Sequence, residues 1–283
     1  MSARLDGKVA VVTGAAGAIG REVALRLDAL GATLLLVDLR EEPLRAFAAT
    51  LQRPALCVAA DLSAADAPAR IVAALQAAHG RCDLLVNNAG IVVPEPFESA
   101  PAERFEREVR INLFGPMFLT HALYPLLQQT RGQVISVVSL GGQLPLKECP
   151  GYCASKFGLR GLMLALALRE KTTGVAISIV NPSGVDTPMI EHEALHGGSA
   201  LNFLSPPLAP GLIGDAVIRQ IEQRRIETDV PRGDGWLIRF VMLFPGLYAR
   251  VLPWLEASGE KGRRRYLRAK GLSLPDGGGP RSH

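Results

Sequence analysis

Short aliphatic runs recur along the chain at regular intervals, and most end on a small polar or acidic residue. They cover residues 9–13, 34–38, 56–60, 83–87, 133–139, 175–181 and 226–230. Runs of this length, bounded by turn residues, read as buried strands. Longer segments with helical spacing lie between them, at 22–30, 44–51, 63–79, 102–128, 152–171 and 210–225. Ser63 is read as the cap of its helix. Strict alternation of strand and helix predicts α/β architecture, a doubly wound parallel sheet, because each crossover must return over one face of the sheet. With 283 residues the chain can bury one full core. A single domain over residues 1–230 with a C-terminal extension over 231–283 is the expectation.

Parallel sheets bind ligands at the C-terminal ends of their strands. Thr13, Asp38, Asp61, Asn87, Ser139 and Asn181 all fall there. Between the first strand and the first helix lies Gly14-Ala-Ala-Gly17-Ala18-Ile19-Gly20. Glycines in that place let the backbone approach a pyrophosphate at the positive end of a helix, so the sheet is read as Rossmann-like. Asp38, followed by Leu39, lies near the expected distance for an acid on the adenosine ribose hydroxyls. Its charge repels a 2′-phosphate, so NAD is expected in preference to NADP. Arg40 reads as a solvated arginine at a helix start.

Tyr152 and Lys156 are four apart at the start of an apolar helical run and so share one face. An ammonium beside a phenol favours the phenolate. The expectation is a tyrosine whose pKa is lowered enough to exchange a proton with an alcohol. Ser139 ends the preceding strand, where its hydroxyl can hold the substrate oxygen beside Tyr152.

Taken together, Thr13-Gly14…Gly20, Asp61-Leu62, Asn87-Asn88-Ala89-Gly90, Asn112, Ser139, Tyr152-x-x-x-Lys156 and Pro182…Thr187 resemble the short-chain dehydrogenase/reductase family, in order, from residue 5 to about 230. The resemblance is to members acting on hydroxysteroids and other secondary alcohols. It implies a catalytic tetrad of Asn112, Ser139, Tyr152 and Lys156. Tyr152 would be the acid/base and Ser139 would position the substrate oxygen. Lys156 would also hold the nicotinamide ribose, and Asn112 would fix a water in a proton relay. Asp61, with Leu62, would face the adenine. Asn88, Ala89 and Gly90 would line the cofactor, and Val185 and Thr187, after Pro182, would hold the carboxamide. Two spellings differ from the shorter members. Ala18 stands where a middle glycine is usual, a spacing nearer the sugar-nucleotide epimerases and dehydratases, and Ser183 follows Pro182 where glycine is usual. The same-fold alternative is therefore an epimerase or dehydratase, and a non-catalytic nucleotide-binding scaffold is the alternative of another class.

His192-Glu193-Ala-Leu-His196 spells a zinc-hydrolase motif. It falls in a short segment bounded by Pro188 and Gly197, and is read as coincidence, with no metal expected. The segments 91–97, 140–148 and 189–210 carry Val92, Phe97, Leu140, Leu144, Leu146, Met189, Phe203 and Leu204, which suit a lipophilic substrate.

Net charge is +4, yet ten Lys/Arg against four Asp/Glu lie from Pro231 onward, leaving the first 230 residues at −2. The body thus has no nucleic-acid-binding signature. Cys57, Cys82, Cys149 and Cys153 form no CxxC pair, and the N-terminus has no signal-like apolar stretch, so a cytoplasmic setting is expected. The extension pairs Trp236 and Trp254 with arginines and is interrupted by Pro245 and Pro253. Peripheral contact with a membrane interface, a lid over the substrate pocket and packing on a partner subunit are all open readings. The end, 275–283, reads as disordered. The helices at 102–128 and 152–171 have wide apolar faces, which in the family pair across a two-fold axis, so a homodimer or homotetramer is expected.

Overall fold

The computed structural model describes residues 4–95 and 97–273. The reading of 275–283 lies outside these. The strands are β1 (Val9–Thr13), β2 (Thr33–Asp38), β3 (Leu56–Ala59), β4 (Leu84–Asn87), β5 (Gln133–Val137), β6 (Ala176–Pro182) and β7 (Glu227–Val230). All pair in parallel in the order β3-β2-β1-β4-β5-β6-β7. The doubly wound sheet follows from the strands themselves. Successive side chains face opposite sides, and in β1 Val9 and Val11 enter one core while Ala10 and Val12 enter the other.

Helices α1 (Ala18–Ala29) and α2 (Glu41–Ala48) cover one face, and α3 (Ala67–Ala78) covers the other. The latter face is completed by α4 (Ala102–Val109), α5 (Gly115–Thr130) and α6 (Pro150–Ala167), with a short α7 (Glu170–Thr173) after it. Leu119, Leu123 and Leu127 of α5 and Leu159 and Met163 of α6 are its main contributors. Helix α8 (Pro188–His196) stands over the strand ends, and α9 (Pro210–Gln223) joins α1 on the first face through Ile213, Ala216 and Val217. Strand order reverses between β1 and β4, which opens a crevice at their C-terminal ends.

Three local expectations are corrected. The helix read at 102–128 is divided by a π-helical turn, Arg110–Phe114, which contains Asn112. Ser63 caps no helix. Its backbone N–H and hydroxyl both donate to Asp61 Oδ1, at 2.9 and 2.7 Å, and α3 begins at Ala67. The extension breaks ahead of Pro245, as expected, but not at Pro253. It forms α10 (Arg232–Val241) and an unbroken α11 (Pro245–Ala269), in which Pro245 occupies the first turn and Pro253 lies inside.

Tertiary contacts outweigh the lost helical bond at Pro253. Tyr248 donates to the Pro145 carbonyl at 2.8 Å, and Lys147 meets Glu256 at 2.7 Å. Tyr266 and Lys270 both reach Asp186, at 2.7 and 2.8 Å. Arg239 Nη2 anchors α10 to Asp229 of β7 at 2.7 Å. No described helix is long and apolar enough to cross a membrane.

Candidate active site

Tyr152 lies in the first turn of α6, with Lys156 one turn on. The Lys156 Nζ stands 5.6 Å from the centre of the Tyr152 ring and donates to the Val137 carbonyl at 3.4 Å. Lys156 is only 4% exposed, and burial pushes its ammonium down to about 8, with the Glu108 carboxylate acting in the opposite direction. Ser139 follows β5. Its hydroxyl accepts from the Gly141 N–H at 2.9 Å, and Ser139 lines the same cavity as Tyr152.

The expected lowering of the phenol pKa is not found. Burial pushes the Tyr152 phenol above its ordinary value, the Ser139 hydroxyl pulls it back in part, and the Glu193 carboxylate adds to the rise. The lysine expected to stabilise the phenolate is itself driven toward neutrality by the same desolvation.

Asn112 is fully buried on the π-helical turn, a local geometry frequent at functional sites. Its Oδ1 accepts from the Ile91 N–H and its Nδ2 donates to the Ile91 carbonyl, both at 2.8 Å. Nδ2 also donates to Ser155 Oγ at 3.1 Å. Asn112 therefore pins the loop after β4 to α6, beneath Gly90.

The nucleotide crevice can be tested for fit. A side chain at Gly14 would meet the Ala89 backbone at 2.9 Å, so only glycine lets the two turns approach this closely. Helix α1 begins at Gly17 without a side-chain cap, leaving the amides of Ala18, Ile19 and Gly20 at its uncapped N-terminus. Thr13 Oγ1 accepts from the Asn88 and Ala89 amides at 3.0 and 3.2 Å, locking the two turns together. This arrangement fits a dinucleotide. Asp38 accepts from the Ala16 N–H at 2.9 Å and the Leu39 N–H at 2.8 Å, which leaves lone pairs on both oxygens. Asp61 is held below the usual carboxylate range, first by the Ser63 hydrogen bond. Leu62 packs against the second core and Gly115.

A cavity of about 110 Å³ brings together Ile19, Asn88, Gly90, Ser139, Tyr152, Lys156, Pro182, Val185 and Thr187. Gly14, Gly17, Ala18, Gly20 and Ala89 do not line it, but belong to the two turns that carry Ile19, Asn88 and Gly90. Asp38, Leu39, Asp61 and Leu62 stand further out, at the ends of β2 and β3. Asn87 and Asn181 commit their amides to the sheet instead. Asn87 donates to Thr120 and Ser136, and Asn181 to Glu227 and Asp229.

Some residues of the site were not anticipated. Glu108, one helical turn before Asn112, is fully buried, with Oε1 accepting from the Val93 N–H at 2.9 Å and Oε2 without a partner. Its position on the Asn112 face was the available signal. Burial pushes its carboxyl up to about 7. Glu193 and Asn202 also line the cavity, hydrogen bonded to each other at 3.0 Å. His192 and His196 stack with ring centres 4.2 Å apart, while Glu193 is buried among other partners. No group of three or more potential ligands is placed to hold a metal among the described residues.

A second cavity of about 300 Å³ adjoins the first at Ser139, Leu146, Pro182, Gly184 and Asn202. Its walls are mainly apolar, with Ser205 and Asp234 among them. Leu140 and Leu144 supply one side, Leu201 and Leu204 another, and Leu237, Val241, Tyr248 and Leu255 of the extension close it.

A model of the short chain dehydrogenase family matches residues 8–196. The chain is 34% identical over 209 residues to a 3-beta-hydroxysteroid dehydrogenase of Comamonas testosteroni, covering 73% of this chain and 82% of that one. It is 36% identical over 212 residues to a D-threitol dehydrogenase of Mycolicibacterium smegmatis, covering 72% and 80%. Among solved structures, a metagenomic short-chain oxidoreductase in complex with NADP is similar with a TM-score of 0.66 and 33% identity, over 79% of this chain and 96% of that one.

Proposed function

This chain belongs to the short chain dehydrogenase family, and from that premise we propose that it interconverts a lipophilic secondary alcohol and its ketone with NAD(H). The observation that carries the substrate class is the mainly apolar cavity that abuts Ser139, which lines the first cavity together with Tyr152. A hydroxysteroid or an alcohol of comparable size and polarity suits such a space. The hydroxysteroid dehydrogenase among its relatives supports that class, and the threitol dehydrogenase marks how widely relatives differ in substrate.

The roles follow from position. Bound in the crevice, the nicotinamide supplies or accepts the hydride. Ser139 holds the substrate oxygen, and Tyr152 moves the proton at that oxygen, taking it in oxidation and returning it in reduction. Lys156 sets the electrostatics beneath the ring and faces the side where the ribose would lie. Asn112 keeps the loop after β4, and with it Gly90, in place. Val185 and Thr187 would hold the carboxamide end of the bound cofactor, Asp38 with Leu39 the adenosine end, and Asp61 and Leu62 would face the adenine. The Asp38 carboxylate favours ribose hydroxyls over a 2′-phosphate, which supports NAD as the cofactor. A homodimeric state and a reducing compartment complete the reading. The latter is supported by four free cysteines, of which Cys82, Cys149 and Cys153 are buried.

The test is a panel of hydroxysteroids, aliphatic alcohols and polyols, each offered with NAD and with NADP, followed by reduced-nicotinamide absorbance. Net reduction of NAD by the lipophilic members is expected. A preference for polyols would overturn the substrate class, and a preference for NADP would overturn the reading of Asp38. Substrate conversion without net reduced cofactor would favour an epimerase.

A further inference from the structure

The extension has two faces, and only one is used by the fold. The inner face of α11 carries Tyr248, Leu255, Gly259 and Leu267, which pack on the cavity wall and on the turn at Ala200–Phe203. The outer face is a single stripe at helical spacing. It begins with Leu247, Arg250 and Trp254 and continues through Lys261, Arg264, Arg265 and Arg268. All are exposed; half-buried Glu260 at the edge of the stripe meets Arg264 at 3.6 Å, and among the described residues Lys261, Arg265 and Arg268 form no ion pair. Its apolar end is extended by α10 and the following turn, where Trp236, Leu237, Phe240, Leu243 and Phe244 are exposed as well. Trp236 is 76% and Trp254 75% exposed, and the chain has no other tryptophan. Leu237 belongs both to this surface and to the wall of the apolar cavity.

Large aromatic side chains do not sit in water at such exposure without reason, and a patch of this extent marks an interaction surface. Two occupants compete. In a two-fold pairing through this face a second copy would present the same stripe, and so would bring cations to cations with only Glu260, already paired to Arg264, to offset them. An anionic bilayer answers both halves of the stripe. Tryptophan and leucine partition into the headgroup boundary, and the cations meet lipid phosphates.

We propose that the outer face of α10 and α11 docks on an anionic lipid bilayer and sets the mouth of the apolar cavity against it. Docking requires only this surface. The further consequence, that lipophilic substrate enters from the bilayer past Leu237, rests on the proposed dehydrogenase function. Each basic residue held near an anionic surface raises the partition coefficient about fivefold.

The full-length protein is titrated with vesicles of phosphatidylcholine alone and of phosphatidylcholine mixed with phosphatidylglycerol. Both tryptophans lie on the proposed contact, so their fluorescence reports it directly and without turnover. A blue shift with the anionic vesicles, reversed by salt and absent with neutral ones, is expected. The variant R264Q/R265Q/R268Q should bind about 100-fold more weakly, at three times the single-charge effect on the logarithm. Its turnover of a water-soluble alcohol should equal that of the unmodified protein. Equal response to both vesicle types, no response to either, or undiminished binding by the variant would overturn the proposal. A fall in solution mass on replacing both tryptophans with serine would also overturn it, and would assign the face to a second copy. Because binding is read without substrate, an inactive protein that still docks would refute the dehydrogenase reading and leave this one standing.

Discussion

Desolvation is the dominant force on the titratable groups around Tyr152. It raises the phenol, lowers Lys156 to about 8 and raises Glu108 to about 7. Replacing Tyr152 with Phe keeps the ring on Lys156 and removes the proton carrier. Turnover should fall roughly 10²-fold or more, the scale of general acid–base catalysis, with nucleotide affinity retained in a fluorescence titration. Near-normal turnover would contradict the role given to the phenol. Glu108 makes a separate, thermodynamic prediction. Its folded-state pKa is raised above the ordinary 4.5, so the neutral carboxyl is the form the fold prefers. The stability it contributes is complete below about 4.5 and is lost as pH rises through about 7. Lys156 recovers part of that loss once the carboxylate forms, and the Glu193 carboxylate opposes it. Gln in its place keeps the acceptor for Val93 and never ionises. Glu108→Gln should therefore melt a few degrees above the unmodified protein at pH 8, and the gap should close at pH 5. A gap independent of pH would remove Glu108 as a buried titrating group.

The elements differ in how plainly the sequence announced them. Strands buried on both faces must be apolar throughout, so β1, β2 and β6 were legible from composition alone. Tyr152 and Lys156 were legible because helical spacing is local. The π-helical turn at Asn112 was not, since continuous helical periodicity runs through it, and only the contacts to Ile91 and Ser155 reveal the break. The lowered tyrosine pKa failed as an expectation because burial is a property of the assembled cavity. Helix α11 was hidden by its own prolines. It is seated by Gly259 and Gly262, where any side chain would fall on the carbonyls of Ala200 and Phe203. Gly262→Ala should force α11 off that turn, at a cost of about 1–3 kcal/mol. Tyr248 and Leu255 would then leave the cavity wall, so KM for a lipophilic substrate should rise while the nucleotide Kd stays unchanged. Unaltered KM would show that the extension does not form the substrate site.

At the scale of the whole molecule, two apolar surfaces remain on opposite accounts. One is the α10–α11 face, rimmed by cations. The other lies on α5 and α6, where Phe114 and Phe118 stack with ring centres 5.8 Å apart and Phe157 stands exposed on the neighbouring helix. Phe118 is 50% exposed although its helix is otherwise a main contributor to the core. The exposed residues at the centre of this second surface, Phe114, Phe118 and Phe157, are uncharged. The surface suits the self-complementary packing of a two-fold dimer, in which like meets like without electrostatic cost. Pairing there leaves the strand ends and the extension free on both copies. The expected mass by light scattering at micromolar concentration is therefore that of a dimer. Phe118→Asp combined with Phe157→Asp should reduce it to a monomer, since a two-fold contact would bring four buried carboxylates together. Replacing Trp254 should leave the dimer intact. A monomeric unmodified protein would refute the α5–α6 contact. A dimer that survives both aspartates but not the loss of Trp254 would move the interface to the extension, and would leave no free face there for lipid.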